Sequence, residues 1–460
     1  MKYSIGEEIE LVAEKFVYGG TALAHRDGEN FFIYGAIPEE KIRAKIFKRR
    51  KRVWYAEVVE VIEPSPLRIV PKCPHFGKCG GCTLQHIDYE TQLKFKQEIF
   101  FETLSRIGNF NHICSGAGSD LAAIVRSPLE WEYRNKMEFS FGRDENGKIF
   151  LGLHRRGKYD VLVPVARDCL LIPEDVRKIC TAAEEILNAE DFFRCTDDYF
   201  LKFFTVRWSF AQKKALLGIT AADSSRNEKI AQFFKKLFKN FPDIVAGGFL
   251  TTNPFGSSTS GEIFYLFEKR EIYEFIGELK FSISPLSFFQ TNPLGAEKLY
   301  NLALEFAELS GNERVWDLYC GTGTIGMYFS RKSSQVVGIE ENSDAVADAR
   351  KNAEENEIAN ITFIEGDVRR VLYQLWQKNF AKPDVVIIDP PRAGLSKKSS
   401  ERIAQFSPKK IVYISCNPST LARDALLFSQ YGYKLIKARP VDMFPQTYHI
   451  EGVALLVKNV

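Results

Sequence analysis

Three short stretches near the end of the chain carry groups that could do chemistry. In Ser415-Cys416-Asn417-Pro418 a thiol directly follows the apolar segment Lys410 to Ser415. A helix beginning near Ser419 would aim its positive end at that thiol and favour the thiolate. The bland alternative is a small buried hydrophobe, the usual state of a free cysteine. In Asp389-Pro390-Pro391-Arg392 two prolines stiffen the backbone and leave Asp389 pointing at a crevice. In His449-Ile450-Glu451 a carboxylate opens the apolar segment Val453 to Val457. A desolvated carboxylate there can act as a general base, whereas a solvated one is only a strand end.

A fourth stretch, Asp317-Leu318-Tyr319-Cys320-Gly321-Thr322-Gly323-Thr324-Ile325-Gly326, follows an apolar strand and opens a helix. Its glycines permit a tight turn and close approach of a ligand. Glu340 ends the next strand, placed to accept hydrogen bonds from ribose hydroxyls. A nicotinamide dinucleotide would suit this pattern too. The Asp389-Pro390-Pro391 element has no evident use in a dehydrogenase, which shifts the reading toward S-adenosylmethionine. Separately, Cys73-x5-Cys79-x2-Cys82 gathers thiols around Gly80 and Gly81. This is metal-binding spacing, with Cys114, Cys169 and Cys180 as possible fourth ligands. Spacing does not separate zinc from an iron–sulfur cluster.

These groups need a frame. From about residue 286, Arg314 to Leu318, Gln335 to Glu340, Ile361 to Ile364, Asp384 to Asp389 and Lys410 to Ser415 read as strands separated by helices. That alternation predicts a doubly wound, largely parallel α/β sheet, which presents ligands at its carboxyl edge. Residues 1–64 read as short strands (Glu8 to Ala13, Phe31 to Tyr34, Ile42 to Phe47, Val53 to Ile62) broken at Gly19-Gly20 and Asp27-Gly28, a small β-barrel. Pro64-Ser65-Pro66 reads as a linker. Beyond the cysteine loop, Leu93, Phe100, Leu104 and Ile107 lie at helical spacing. The region 124–284 is mixed, with strand-like Lys136 to Phe141 and Phe200 to Trp208, and a helix bearing Phe233, Phe234, Leu237 and Phe238 that reads as core.

At 460 residues the chain is long enough for roughly three domains at about 150 residues each. The net charge of +3 argues little, but its distribution argues more. Basic residues crowd between Lys41 and Arg52, and again between Arg134 and Arg167, as patches for phosphate or as solvated faces. The apolar runs are too short to span a bilayer, and MKYSIGEEIE lacks a secretory core, so a cytoplasmic location is expected. Nine cysteines in such a chain point to metal binding or catalysis rather than a disulfide framework.

Taken together, CPHFGKCGGC at Cys73 to Cys82, SFFQTN at Ser287 to Asn292, DLYCGTGTIG, DPPRAGL at Asp389 to Leu395, SCNPSTLARD at Ser415 to Asp424 and QTYHIE at Gln446 to Glu451 resemble the bacterial RNA uracil-5-methyltransferases. The resemblance is greatest to the branch that modifies 23S ribosomal RNA and carries a TRAM domain and an iron–sulfur cluster. It implies a multidomain fold: an OB-like TRAM β-barrel over 1–64, an α+β central RNA-binding domain with the iron–sulfur loop over 65–285, and a C-terminal Rossmann-like class I methyltransferase over 286–460. It implies Cys416 as nucleophile and Glu451 as base. Gln290, Tyr319, Glu340 and Asp389 would contact S-adenosylmethionine or the target uracil, with Asp367 on the adenine side. Cys73, Cys79, Cys82 and Cys169 would hold a 4Fe–4S cluster. The implied partner is RNA, ribosomal ahead of transfer RNA, acted on by a cytoplasmic monomer with no membrane. Gly452, where threonine is expected, and Thr324, where some relatives carry asparagine, depart from the pattern. The rival readings are an NAD-dependent oxidoreductase and a non-catalytic RNA-binding protein.

Overall fold

A computed structural model describes the chain except residues 1, 115–122, 191–199, 255, 257, 270 and 460, and describes 114 and 269 by backbone alone. The first six strands are β1 (Glu8–Val12), β2 (Lys15–Val17), β3 (Thr21–Arg26), β4 (Glu29–Tyr34), β5 (Lys41–Arg50) and β6 (Val53–Glu63). They form one sheet in the order β1-β5-β6-β4-β3-β2. Alternation sends Ile9 and Leu11 of β1, and Ile42, Ala44 and Ile46 of β5, onto one core with Phe31 and Trp54. A main-chain bond from Glu14 to the Leu23 carbonyl (2.8 Å) brings the end of β1 to β3, so the sheet curls on itself. β2 and β3, absent from the sequence reading, flank the Gly19-Gly20 turn; β2 has only three residues and β3 (TALAHR) does not alternate. The expected linker is not loose. Buried Glu40 accepts hydrogen bonds from Ser65 and Arg68 and ties this stretch to the sheet.

The middle sheet comprises β7 (Lys136–Arg143), β8 (Ile149–Arg155), β9 (Lys158–Pro164), β10 (Leu201–Ser209), β11 (Lys214–Ala221), β12 (Val245–Thr252) and β13 (Glu262–Lys269), in the order β13-β12-β11-β10-β7-β8-β9. Helices Glu174–Ala189 and Asn227–Asn240 pack on it. Phe204, Phe233, Phe234 and Leu237 are fully buried in this layer, core rather than stacking platforms. A hairpin of β14 (Ile272–Ile276) and β15 (Leu279–Ile283) follows.

The last sheet contains β16 (Arg314–Leu318), β17 (Gln335–Glu340), β18 (Ile361–Glu365), β19 (Val385–Ile388), β20 (Lys410–Ser415), β21 (Tyr433–Val441) and β22 (Glu451–Lys458), ordered β18-β17-β16-β19-β20-β22-β21. β16 to β20 pair in parallel, and β22 runs antiparallel to both neighbours. The chain order reverses between β16 and β19, and such a switch point opens a ligand crevice at the carboxyl edge. Helix Tyr89–Gly108 precedes the middle sheet in sequence, yet packs on helix Pro418–Ser429 and this last sheet, burying Phe100 and Leu104 with Leu421. Leu93 is buried as expected, but Ile107 is exposed, while Gln92 and Lys96 take buried positions on the helix. Among the described residues no helix is long and apolar enough to cross a membrane.

Candidate active site

The glycine-rich loop leaves β16 at Tyr319, which is held at φ 64°, an uncommon conformation for a side-chain-bearing residue. Gly323 ends the loop at φ 74°, where any side chain would meet the Phe363 ring at 2.7 Å. Helix Thr324–Ser330 then begins, and buried Asp317 accepts from the Gly326 amide (2.8 Å). Burial pushes the Asp317 carboxyl up to about 8, and its second oxygen has no hydrogen-bond partner among the described residues. Glu340 closes the loop by accepting from the amides of Gly321, Glu341 and Asn342, each at 2.9 Å. A carboxylate offers about four acceptor sites, so one remains on the oxygen that faces Gly321, as a ribose hydroxyl requires.

Gln290 and Tyr300 sit together on the other side of the loop, where the Tyr300 hydroxyl shares a 2.9 Å hydrogen bond with Thr324. Thr324 thus has a partner of its own, whatever stands there in relatives. Asp367 is less available. It caps helix Val368–Gln377 by accepting from the Arg370 amide (2.9 Å), the ordinary role of aspartate at that position.

Cys416 and Glu451 come together through strand register. Ser415 of β20 pairs with Gly452 of β22, so the next rung sets Cys416 against Glu451 on one face. Asp389, at the end of β19, completes the edge, and Arg392 reaches the same space. Burial pushes Glu451 up to about 8, with Asp389 adding to the rise and Arg392 opposing it. Burial likewise pushes Asp389 to about 7. The thiol of Cys416 rises to about 11, from burial first and then from the carboxyls of Glu451 and Asp389. This corrects the expected thiolate. Helix Pro418–Ser429 does start at Cys416's flank, with Asn417 as its cap, but desolvation and nearby carboxyls outweigh its dipole in the free protein.

Distant segments fix this edge. Arg423 donates to the carbonyls of Ala393 and Leu395, and Asp424 accepts from the Leu395 amide and the Tyr413 hydroxyl, so one motif clamps another. Lys96 reaches Asp442 (2.7 Å) and the Phe444 carbonyl, with both charged groups sealed from solvent. Gln92 and Gln446 bond reciprocally, and the amides of Thr83 and Leu84 both donate to the Gln446 carbonyl. Gly452 is explained by packing: a side chain there would strike the Phe100 ring at 2.3 Å. Tyr18, from the first sheet, donates to the Cys416 carbonyl (3.2 Å) and meets Tyr448 edge-on (5.8 Å). The sequence reading missed Tyr18, Lys96 and Arg392 as site residues. For Arg392, adjacency to Asp389 was an available signal.

Cys73, Cys79, Cys82 and Cys169 line one pocket with apolar walls that include Phe76, Met137 and Leu153. Burial is the main cause of a rise in all four thiols; neighbouring thiols add to it at Cys79, Cys82 and Cys169, and Asp168 adds to it at Cys73. Among the described residues no group of three or more His, Cys, Asp or Glu is arranged to hold a metal ion. Cys180 is on the buried face of helix Glu174–Ala189, and the side chain of Cys114 lies outside the described residues. The first basic patch is partly neutralised, since Lys41, Arg43 and Arg49 have carboxylate partners and Arg49 also lies over Trp54. In the second, Lys136, Arg155 and Arg167 are paired as well.

The tRNA (Uracil-5-)-methyltransferase family model matches residues 269–459. An uncharacterized RNA methyltransferase of Caldanaerobacter subterraneus is 37% identical over 99% of each chain. Another, from Halalkalibacterium halodurans, is 34% identical over 98% of this chain and 97% of its own. Among solved structures, Pyrococcus abyssi tRNA (uracil-54, C5)-methyltransferase in complex with S-adenosyl-L-homocysteine superposes with a TM-score of 0.73 at 25% identity, covering 98% of this chain and all of that one.

Proposed function

The chain belongs to the RNA uracil-5-methyltransferase family, an S-adenosylmethionine-dependent RNA-modifying family, and from that premise we propose that it methylates carbon 5 of a uridine in 23S ribosomal RNA through a covalent bond from Cys416 to carbon 6. The observation that carries this reading is the register of β20 on β22, which opposes Cys416 and Glu451 beside Asp389 and the glycine-rich loop. Carbon 5 of uracil is a weak nucleophile. Addition of the Cys416 sulfur to carbon 6 makes the ring an enolate, and its carbon 5 can then accept a methyl group. Glu451 removes the remaining carbon 5 proton, the ring double bond re-forms, and the carbon–sulfur bond breaks to return the thiolate. S-adenosylmethionine supplies the electrophilic methyl group and a positive charge. Positive charge in this crevice favours the ionised forms of Asp389, Glu451 and Cys416, whose charges burial disfavours in the free protein. A uridine reaches such an edge only when flipped from its stack.

Gln290, Tyr319, Glu340, Asp389 and, after its capping duty, Asp367 are assigned to the cofactor and the uracil. The curled first sheet is assigned as a TRAM barrel over 1–64, ahead of the central domain (65–285) and the methyltransferase domain (286–460) of a cytoplasmic monomer. Cys73, Cys79, Cys82 and Cys169 would hold a 4Fe–4S cluster, which supplies a structural brace when bound. The donor type fits: four thiols line one pocket with apolar walls, and thiolates are the ligands such a cluster takes. Transfer RNA is the second reading, favoured by the likeness to the archaeal enzyme. Mapping 5-methyluridine in both RNAs from a strain lacking this protein tests the reading. Loss at one ribosomal site is expected, loss only in transfer RNA selects the second reading, and no loss in either refutes both.

A further inference from the structure

We infer that Arg156 grips an RNA phosphate flanking the nucleotide held in the Cys416 crevice, a positioning role that deepens the proposed function and rests on it. Arg156 lies in the turn between β8 and β9, and its guanidinium sits between two tyrosines from different segments. Its central carbon is 4.9 Å from the Tyr34 ring, at the end of β4, and 5.5 Å from the Tyr448 ring, three residues before Glu451. Tyr448 in turn lies against Tyr18, whose hydroxyl bonds the Cys416 carbonyl, and stacks 4.3 Å from His449. Two aromatic rings, Tyr448 and Tyr18, thus link Arg156 to the Cys416 carbonyl, where the first, middle and last sheets meet.

Two neighbouring cations are committed. Arg155 pairs with Glu57, and Lys136 pairs with Glu138. Among the described residues Arg156 has no carboxylate partner, and its guanidinium makes no hydrogen bond. The two tyrosine faces use its charge but leave its five N–H donors open. A half-buried planar fork with free donors suits a phosphate, which it can hold by two parallel bonds. A base turned into the crevice leaves its backbone at the mouth, where this fork stands.

The turn is also built to be rigid. Cys79 bridges Arg155, and the Gly80 amide donates to the His154 carbonyl (3.1 Å). Any side chain at Gly80 would meet that carbonyl at 2.9 Å and the Arg156 amide at 3.2 Å. The cysteine loop thus fixes the height at which Arg156 stands.

The test compares wild type, Arg156→Ala and Arg156→Lys for binding of ribosomal and transfer RNA from a strain without 5-methyluridine, across salt concentrations and with S-adenosylhomocysteine saturating. Arg156→Ala should bind the RNA substrate about tenfold more weakly and lose roughly 0.7–0.9 of the log–log salt slope, the contribution of about one phosphate. Arg156→Lys should keep the slope and bind several-fold more weakly than wild type, because one ammonium replaces the fork. S-adenosylhomocysteine affinity and thermal midpoint should match wild type. An unchanged slope in Arg156→Ala overturns the inference. So does a lowered midpoint with an unchanged slope, which would make the arginine only glue between the tyrosines. If wild type methylates no uridine but the slope difference persists, the proposed function fails while the phosphate contact stands.

Discussion

Replacing Glu451 by glutamine removes one proton-accepting group while keeping its shape, and the structure fixes two consequences. The first is in the free protein. Burial raises this carboxyl from 4.5 to about 8, so between those values the folded chain holds a proton that the unfolded chain has released. Stability therefore falls as pH rises through this window, by about 1.4 kcal/mol per unit, or roughly 3 kcal/mol from pH 4.5 to 7 as an upper bound. Glu451→Gln has no such proton to lose. Its thermal midpoint should gain on wild type steadily from pH 5 to pH 8. The second consequence is in turnover. Below about 8 most Glu451 in the free protein is protonated, and because it acts after methyl transfer its protonation should lower kcat, not kcat/KM, as pH falls. Glu451→Gln should add to the base and transfer the methyl group, then stall with the carbon 5 proton in place. Labelled methyl should then accumulate in a protein–RNA band on a denaturing gel. Turnover by Glu451→Gln within tenfold of wild type would refute the base assignment and move it to a bound water or to Asp389. A midpoint difference independent of pH would refute the buried, protonated state.

Lys96→Met should destabilise the protein by about 3–5 kcal/mol, since it strands Asp442 without its partner; adding Asp442→Asn should restore much of the thermal midpoint. Gly452→Thr, which installs the residue expected from the family, should cost about 1–3 kcal/mol in denaturant titration because the side chain runs into Phe100, and Phe100→Leu should relieve it. Protein purified without oxygen should be brown and contain iron, and Cys79→Ser should bleach it and lower its solubility. Stoichiometric zinc without iron would overturn the cluster assignment.

The chemistry was legible where it sits in contiguous motifs. Cys416, Glu451, Asp389 and the glycine-rich loop each follow or open an apolar strand, and the period of that strand betrays the edge on which they stand. Parallel strands buried on both faces read as plain apolar runs, so β16, β17 and β20 were bounded well. Groups that act through space were not legible. Lys96 looks like one more polar residue on an amphipathic helix, and only its partner 346 residues away makes it a buried ion pair. Tyr18 lies beside a turn with no signal beyond its glycines, yet it reaches Cys416. The thiol's protonation was misread because a helix start is visible in sequence, whereas the desolvation and carboxyls that outweigh it are properties of the assembled edge.

The central claim is that the Cys416 sulfur bonds to the uracil, and trapping tests it most directly. RNA carrying 5-fluorouridine at the methylated site, incubated with labelled S-adenosylmethionine, should lock the wild-type protein into an adduct that survives denaturing electrophoresis. Fluorine cannot leave carbon 5 as a cation, so the final elimination is blocked. Digestion should place both the labelled methyl and the nucleotide on the peptide containing Cys416, and Cys416→Ala should bind RNA and cofactor yet give no adduct. An adduct that persists in Cys416→Ala, or methyl transfer by that variant, would contradict the account.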